Sequence, residues 1–161
     1  MKNKAIFLDR DGVINRDQDH YTWLQSEFIF LDGVFEACRE FQRMGFLIIV
    51  VTNQGGIAKG LYSHKDVNDL HANMEASFLK EGVTISESYY CPHYDAHGKC
   101  LCRKPGSLLV EKALARFDID PAKSWFIGDR ERDILAGEGA GVKGILVDVN
   151  SDLRQVLPKI S

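Results

Sequence analysis

The segment Ala5-Ile6-Phe7-Leu8-Asp9-Arg10-Asp11-Gly12-Val13 decides the fold class of this chain. Its apolar run predicts a buried strand, and two carboxylates and a glycine follow the end of that strand. In open α/β sheets, ligands bind beyond the carboxyl ends of the strands. Asp9 and Asp11 would repel each other in a tight turn unless a cation or a shared proton lay between them, and Mg²⁺ prefers carboxylate oxygen. The segment therefore predicts a functional site, with a solvated turn or a helix N-cap as the alternative.

Apolar runs alternate with amphipathic helical patterns along the rest of the chain. Strands are predicted at residues 5–8, 46–51, around 88–90, 125–127 and 144–147, and helices at 33–44, 64–80, 107–117 and 132–138. This alternation predicts βαβ units and a mostly parallel central sheet. The run at 47–51 is continuously apolar, which is typical of a strand covered on both faces. We therefore expect a three-layer, Rossmann-like α/β fold.

Composition limits the classes of protein to which this chain could belong. Its 161 residues suit a single domain over residues 1–161, and 45% apolar with 27% charged residues is ordinary for a globular protein. The formal net charge of −3 argues against a nucleic-acid partner. The chain enters its first strand without a signal-peptide pattern and has no run long enough to cross a membrane. We expect a cytoplasmic monomer without a membrane partner.

Residues that suit phosphoryl transfer follow several of the other predicted elements. Thr52-Asn53-Gln54-Gly55-Gly56 follows the second strand, Arg103-Lys104-Pro105 precedes the third helix, and Gly128-Asp129-Arg130-Glu131-Arg132-Asp133 follows the fourth strand. Together with the first segment they offer a carboxylate nucleophile, metal ligands and donors for phosphate oxygens. Each has an ordinary alternative, since Thr52 could merely end a strand, Lys104 could be a solvated charge and Asp129 could cap a helix.

A second cluster combines three cysteines with a histidine and predicts a structural zinc site. Three thiolates and one imidazole suit tetrahedral Zn²⁺ and leave no open position for catalysis. We prefer His93 over His97 as the fourth ligand. His93 is two residues after Cys91 in the sequence, and this spacing matches that of the Cys100 and Cys102 pair. A disulfide is the less favoured alternative. The metal would staple a loop that lacks a core and would position the Arg103-Lys104 pair that follows. The predicted ligands are Cys91, His93, Cys100 and Cys102.

Taken together, the strand-end motifs resemble those of the haloacid dehalogenase (HAD) superfamily of phosphohydrolases, over nearly the whole chain. Its Asp-x-Asp-x-(Thr/Val) motif is matched by Asp9-Arg10-Asp11-Gly12-Val13, and its strand-ending Ser or Thr by Thr52. Its lysine is matched by Lys104, and its Gly-Asp-x-x-x-Asp motif by Gly128-Asp129 and Asp133. The resemblance implies the HAD fold, and it implies that Asp133 orients either Lys104 or the metal shell.

The same resemblance implies a role for each catalytic residue. Asp9 would attack phosphorus and form an aspartyl-phosphate, while Asp11 would protonate the leaving oxygen and then accept a proton from water. Mg²⁺ would be held by the Asp9 carboxylate, the main-chain carbonyl of Asp11, and Asp129. Thr52 and Lys104 would hold the transferring phosphoryl group.

The cysteine segment, joined to Asp-Arg-Asp-Gly, resembles one compact subfamily that lacks a large cap domain. This subfamily contains D-glycero-D-manno-heptose-1,7-bisphosphate 7-phosphatases and histidinol phosphatases. Val-Thr-Asn-Gln-Gly-Gly-Ile-Ala-Lys-Gly at 51–60 is similar to the heptose enzymes, whereas Gly-Asp-Arg-x-x-Asp at 128–133 is similar to the histidinol type. The resemblance implies Mg²⁺-dependent hydrolysis of the C7 phosphate of the heptose bisphosphate, a small phosphorylated sugar, with histidinol phosphate as the alternative substrate.

Basic and amide residues near these motifs are candidates for substrate binding. A bisphosphate needs a second anion site, and guanidinium groups bind phosphate bidentately. Acidic residues such as Asp17, Asp19 and Glu131 would instead suit the cationic amine of histidinol phosphate, so the charges alone leave both substrates open. The predicted substrate-binding residues are Arg10, Asn53, Gln54, Gly55, Arg103 and Arg130.

Overall fold

The computed structural model describes residues 2–94 and 100–161. Within them, a sheet of five parallel strands has the order β3-β2-β1-β4-β5. The parallel α/β architecture predicted from the sequence is confirmed, and each predicted strand overlaps an observed one. The strands are β1 (Lys4–Leu8), β2 (Phe46–Asn53), β3 (Ile85–Cys91), β4 (Trp125–Gly128) and β5 (Lys143–Leu146).

The helices α1 to α4 span Val34–Arg43, His64–Lys80, Leu108–Arg116 and Glu131–Glu138. The bounds of α2 agree with the prediction because its start is capped from both sides. The Ser63 hydroxyl accepts a hydrogen bond from the Asp66 N–H at 3.1 Å, and the Asp66 carboxylate accepts from the Ser63 N–H at 2.9 Å. Short 3₁₀ helices at Gln25–Glu27, Pro121–Lys123 and Leu153–Lys159 complete the described elements.

Both faces of the sheet are covered, as the continuous apolar runs predicted. Alternate residues of β1 enter two separate hydrophobic clusters. Ile6 and Leu8 pack in a cluster that also contains side chains of α1 and α2, whereas Ala5 and Phe7 pack in a cluster with side chains of α3. The result is a three-layer arrangement, in which the sheet is packed between two layers of helices.

The sheet order places a crevice between the carboxyl ends of β1 and β4. The chain passes from β1 to β2 on one side, and after β3 it crosses to β4 on the other side of β1. Such a reversal is where open α/β sheets bind ligands. Leu8 lies in register with Ile127, and the Asp9 N–H donates to the Ile127 carbonyl at 3.1 Å. Asp9 and Asp129 are therefore brought side by side at this edge.

The segment between β1 and α1 folds back over the crevice. Main-chain bonds join Arg16 to Ile29 at 2.8 Å and Leu31 to Ile14 at 2.9 Å, so the segment forms a closed loop. The side chain of Asn150 holds the start of this loop, because Oδ1 accepts from the Asp17 N–H at 2.7 Å and Nδ2 donates to the Asp17 carbonyl at 3.2 Å. No helix among the described residues is long and apolar enough to cross a membrane.

Candidate active site

A cavity of about 550 Å³ opens at the carboxyl edge of the sheet, where the motifs predicted it. Its floor is formed by residues that follow β1 and β4 and by the last two residues of β2, one wall by the loop before α1, and another by the start of α4. It is lined by Asp9, Asp11, Asp17, Gln18, Asp19, His20, Tyr21, Thr22, Trp23, Thr52, Asn53, Leu61, Asp129, Arg130 and Arg132.

A buried ion-pair network underlies the cavity floor. Nζ of Lys104 lies 2.8 Å from Oδ1 of Asp9 and 2.6 Å from Oδ1 of Asp133, and it donates to the Val51 carbonyl at 2.8 Å. Burial is the largest single influence and would raise the pKa of Asp9. The charge and hydrogen bond of Lys104, together with Asp129 and Arg132, outweigh burial and lower this pKa. Burial alone would lower the pKa of Lys104, yet Asp9 and Asp133 together raise it. Asp9 is therefore an ionised carboxylate, as a nucleophile must be.

Asp129 lies in the same cluster, and Nε of Arg130 lies 3.9 Å from its Oδ2 atom, beyond hydrogen-bond distance. Its carboxylate oxygens are buried and have no hydrogen-bond donor among the residues that the structure describes. Burial, and then the neighbouring charge of Asp9, raise the pKa of Asp129 to about 8. Carboxylate oxygens of Asp9, Asp129 and Asp133 all lie within 4.8 Å of one another. An oxygen-rich site with one orphaned carboxylate fits a hard divalent cation such as Mg²⁺.

Gly12 allows the approach of Asp129 to the turn after β1. Its φ of +89° is in the left-handed region that favours glycine. A Cβ atom at residue 12 would overlap the Asp129 carboxylate. Gly12, which follows Asp11 in the first motif, thus makes room for Asp129, a predicted metal ligand from the Gly-Asp-x-x-x-Asp motif.

Asp11 lies on the cavity wall and is held by donors on both carboxylate oxygens. Oδ1 accepts from Arg10 Nε at 3.1 Å, from Arg10 Nη2 at 2.8 Å and from Asn15 Nδ2 at 3.0 Å. Oδ2 accepts from Gln54 Nε2 at 3.2 Å. The amide of Gln54 is itself oriented, since its oxygen accepts from the Tyr62 hydroxyl at 2.8 Å.

Three predicted substrate contacts are instead buried beneath the cavity surface. Arg10 is fully buried and Gln54 is 1% exposed, and both side chains hold Asp11 rather than face the cavity. Gly55 is packed under the cysteine segment, where a Cβ atom would lie 3.2 Å from Nη1 of Arg103. A strand-end position indicated the correct edge of the sheet but not the direction of these side chains. Their role as substrate contacts stays a prediction, and the contacts that the structure does give Arg10 and Gln54 support Asp11.

Thr52 and Asn53 lie on the cavity floor as predicted. The Thr52 hydroxyl oxygen accepts from Gln54 Nε2 at 2.9 Å, and the hydroxyl donates a long hydrogen bond of 3.4 Å to the Asn53 carbonyl. Asn53 also holds the main chain of Lys104, because Oδ1 accepts from the Lys104 N–H at 3.0 Å and Nδ2 donates to the Lys104 carbonyl at 3.3 Å. These two bonds join the end of β2 to the segment that carries the buried lysine.

The arginines lie on different sides of the site. Arg130 lines the cavity, with Nη2 3.5 Å from the Asp17 carboxylate. Arg103 is absent from the described lining, because Nη1 donates to the His93 carbonyl at 3.0 Å. Arg132, which sequence analysis did not select, lines the cavity with a buried Nε that has no hydrogen-bond partner among the described residues. The available signal was a basic residue in the first turn of a helix that begins at the carboxyl edge.

The structure brings together the four predicted zinc ligands. Nδ1 of His93 lies 3.4 Å from Sγ of Cys91 and 3.3 Å from Sγ of Cys102. Cys91 Sγ lies 3.7 Å from Cys100 Sγ and 2.9 Å from Cys102 Sγ, and all three thiols are free. The four ligand atoms lie within 4.8 Å of one another, and this soft donor set fits Zn²⁺. His97, the alternative ligand, lies outside the described residues.

Comparison with known proteins agrees with this geometry. A HAD-hydrolase-like family model matches residues 101–159. The D-glycero-alpha-D-manno-heptose-1,7-bisphosphate 7-phosphatase of Burkholderia mallei is 43% identical, over 97% of this chain and 85% of the relative. The corresponding beta enzyme of Haemophilus ducreyi is 42% identical, over 89% of this chain and 81% of the relative. The chain belongs to the heptose-1,7-bisphosphate 7-phosphatase family.

A solved structure of this family has the same fold. The D,D-heptose 1,7-bisphosphate phosphatase of B. bronchiseptica, complexed with magnesium and phosphate, superposes with a TM-score of 0.84. It is 33% identical over 97% of this chain and 86% of that chain. The HAD-type architecture and phosphatase activity predicted from the motifs are thereby confirmed, and the enzyme is a phosphoric ester hydrolase.

Proposed function

We propose that this enzyme removes the C7 phosphate of D-glycero-D-manno-heptose 1,7-bisphosphate in a Mg²⁺-dependent reaction. The observation that carries the proposal is the ionised Asp9 beside the orphaned Asp129, at the floor of a cavity whose wall contains two arginines. Names of the relatives support the heptose substrate over histidinol phosphate, the alternative that the sequence left open.

In the first half of the reaction, a carboxylate oxygen of Asp9 attacks phosphorus and the bond from phosphorus to the sugar oxygen breaks. Lys104 and Thr52 would stabilise the equatorial phosphoryl oxygens, since an ammonium and a hydroxyl are the donors nearest to Asp9 and the end of β2. Asp11 gives its proton to the leaving oxygen, because a sugar alkoxide is too basic to leave unprotonated. The product of this half-reaction is an aspartyl-phosphate on Asp9.

In the second half, water attacks phosphorus and the bond from phosphorus to Asp9 breaks. Asp11, now a carboxylate, accepts the proton of the attacking water and returns to its starting state. Lys104 would again neutralise Asp9 as the leaving carboxylate, from its position 2.8 Å away. Both halves thus use the same three side chains.

The cluster around Asp129 is the part of the site that fits Mg²⁺. We propose the Asp9 carboxylate, the main-chain carbonyl of Asp11, and Asp129 as its ligands, while Asp133 is engaged by Lys104 at 2.6 Å. A bound divalent cation would neutralise phosphoryl charge and orient the phosphate toward Asp9.

The second phosphate of the substrate needs cationic ligands in addition to Lys104. Arg130 and Arg132 lie on one cavity wall, and Nε of Arg132 is a buried donor with no hydrogen-bond partner among the residues that the structure describes. We propose these two residues as ligands of the non-reacting phosphate. Arg103 stays a predicted contact from the opposite side of the site.

Zinc would have a structural role in this enzyme. We propose that Cys91, His93, Cys100 and Cys102 hold one Zn²⁺, which fixes the segment leading into Lys104. A monomeric, cytoplasmic enzyme without a nucleic-acid partner, built as one domain over 1–161, stays the prediction made from the sequence.

The substrate is tested by measuring kcat/KM for both anomers of heptose 1,7-bisphosphate beside histidinol phosphate. We expect at least one heptose anomer to exceed histidinol phosphate by about a hundredfold or more, because only a bisphosphate engages both cationic regions. The position of the remaining phosphate, determined by ³¹P NMR, should be C1. Higher efficiency on histidinol phosphate, or removal of the C1 phosphate, would contradict the proposal.

A further inference from the structure

His71 is a buried ionisable side chain for which the mechanism above has no use. It lies on α2, is 5% exposed, and packs with its ring edge-on to Tyr90. Its Nε2 lies 3.3 Å from Nη1 of Arg10. Burial, and then the charge of Arg10, lower the pKa of His71 to about 3, so its ring is neutral near pH 7.

Hydrogen-bond chemistry defines the tautomer of His71. A guanidinium has only donors, so Nε2 of His71 must accept from Arg10 Nη1 and the proton of the neutral ring lies on Nδ1. His71 therefore supplies a buried acceptor for the Nη1 end of the guanidinium.

Arg10 is held on every side by acceptors. Its guanidinium donates to Oδ1 of Asp11 through Nε at 3.1 Å and Nη2 at 2.8 Å, and Nη2 also donates to the Thr22 carbonyl at 2.7 Å. Nη1 points to His71. Arg10 has no exposed surface. Removal of the His71 acceptor would leave a charged, buried donor unpaired, and the guanidinium would turn to satisfy it.

Any such turn would be transmitted to Asp11. Oδ1 of Asp11 is occupied by Arg10 and by Asn15, whereas Oδ2 has only the longer bond of 3.2 Å from Gln54. We infer that His71 is a positioning residue for proton transfer, which acts through Arg10 to keep Oδ1 of Asp11 occupied and Oδ2 available to the substrate. This inference rests on the proposed function, in which Asp11 is the acid and base.

A positioning role of His71 can be distinguished from a purely structural one, because the effect of a positioning residue depends on the leaving group of the substrate. A sugar alkoxide needs the proton of Asp11 to leave, but p-nitrophenolate leaves without one. Formation of the aspartyl-phosphate from p-nitrophenyl phosphate is therefore independent of Asp11. Its hydrolysis still requires Asp11 to accept a proton from water, so misplacement of Asp11 should cause the phosphoenzyme to accumulate.

The experiment compares wild-type enzyme with His71→Leu, His71→Gln and His71→Asn in the presence of Mg²⁺. The Gln carbonyl reaches the place of Nε2 and can accept from Arg10, whereas the Asn carbonyl is too short. His64→Gln is the matched control, because His64 lies on the same helix but is exposed and contacts the Tyr90 hydroxyl at 2.8 Å.

For His71→Leu and His71→Asn we expect kcat on heptose bisphosphate to fall by about 10- to 100-fold with KM within about twofold, the scale of a misplaced catalytic group. With p-nitrophenyl phosphate, the burst of nitrophenolate should keep its wild-type rate and be followed by slow turnover. His71→Gln should recover most of the loss, and His64→Gln should behave like wild type. If the leucine variant fails to fold, the Gln and Asn variants make the same distinction.

Equal kcat for the Gln and Asn variants, or a burst slowed as much as sugar-phosphate turnover, would overturn the inference. Asp11→Asn, measured in parallel, separates this failure from failure of the proposed function. If Asp11→Asn hydrolyses heptose bisphosphate at the wild-type rate, the acid–base assignment is wrong, and the inference about His71 falls with it.

Discussion

The charge of Asp9 depends chiefly on a buried lysine. Lys104 is 2% exposed and contacts Asp9 and Asp133, so one ammonium serves two carboxylates, while Asp129 has only the more distant Arg130 at 3.9 Å and no hydrogen-bond donor among the described groups. A bound cation would complete the neutralisation. With these positive charges nearby, the carboxylates of Asp9 and Asp129 can lie close together although both carry negative charge.

Asp9→Asn should abolish turnover, because an amide is a poor nucleophile and a weak Mg²⁺ ligand. We expect kcat to fall by more than about a thousandfold, the scale for loss of a covalent nucleophile. Asp69→Asn is the control, since the Asp69 side chain is 62% exposed on α2. A variant of Asp9 that keeps a tenth of wild-type activity would exclude this residue as the nucleophile.

Arg103 and Arg132 test whether the structure or the sequence pattern better identifies the ligands of the second phosphate. The sequence predicted Arg103, whereas the structure places Arg132 in the cavity lining. Arg132→Ala should lower kcat/KM on heptose bisphosphate by about 10- to 100-fold, the scale of a charge-assisted contact, and p-nitrophenyl phosphate hydrolysis much less. Arg103→Ala should have the smaller effect on the bisphosphate, because Arg103 is bonded to His93 outside the cavity lining. Arg43→Ala, at a side chain that is 72% exposed, is the control. Equal losses of kcat/KM on both substrates would indicate that Arg132 contacts the reacting phosphate instead.

Burial of neutral His71 should also make stability depend on pH. The pKa of His71 is about 3 in the folded protein and about 6.5 in an unfolded chain, so between these values only the unfolded state binds the proton. Stability is therefore lost as pH falls below 6.5, by up to about 1.4 kcal/mol per pH unit. Urea unfolding from pH 6 to 4.5 should show a steeper loss for wild type and His64→Gln than for His71→Gln. Identical slopes would mean that His71 is not buried in neutral form.

At the scale of elements, helix and strand positions followed from local signals. The Ser63 cap and apolar spacing defined α2 to the residue, and the continuous apolar run located β2. The 3₁₀ helix at Leu153–Lys159 was missed, because its turns are stabilised by packing of Leu153 and Val156 into the core rather than by a helical pattern. Elements with their own caps and periodicity were predictable, and those that depend on tertiary packing were not.

The cysteine segment is an element that we expect to depend on metal. Enzyme purified without added metal should contain about one equivalent of zinc per chain, and Cys102→Ser should lower both zinc content and thermal stability. Because Lys104 is only two residues after Cys102, activity should fall as well. Cys38→Ala, which alters a buried thiol in α1, should lower stability without loss of zinc. Absence of zinc by elemental analysis, with freely titrating thiols, would refute the site.

At the scale of the whole molecule, the catalytic constellation is assembled from the ends of β1, β2 and β4 and the segment before α3, and most of it could be predicted because parallel strands share one carboxyl edge. The side chains that hold Asp11 could not be predicted in this way. Arg10 points into the core because α2 supplies His71, 61 positions later, and the folded-back loop supplies the Thr22 carbonyl. Such directions depend on contacts between distant elements, which sequence spacing does not encode.

The most direct test of the account is detection of a phosphoryl group on Asp9. Wild-type enzyme with Mg²⁺ and heptose bisphosphate, and Asp11→Asn with p-nitrophenyl phosphate, are quenched in acid within the first turnover, digested and examined by mass spectrometry. We expect the peptide that contains Asp9 to carry one phosphoryl group, with greater occupancy in Asp11→Asn because its hydrolysis lacks a base. Phosphate release in the first turnover without a phosphorylated peptide, or with the phosphoryl group on another residue, would contradict covalent catalysis by Asp9.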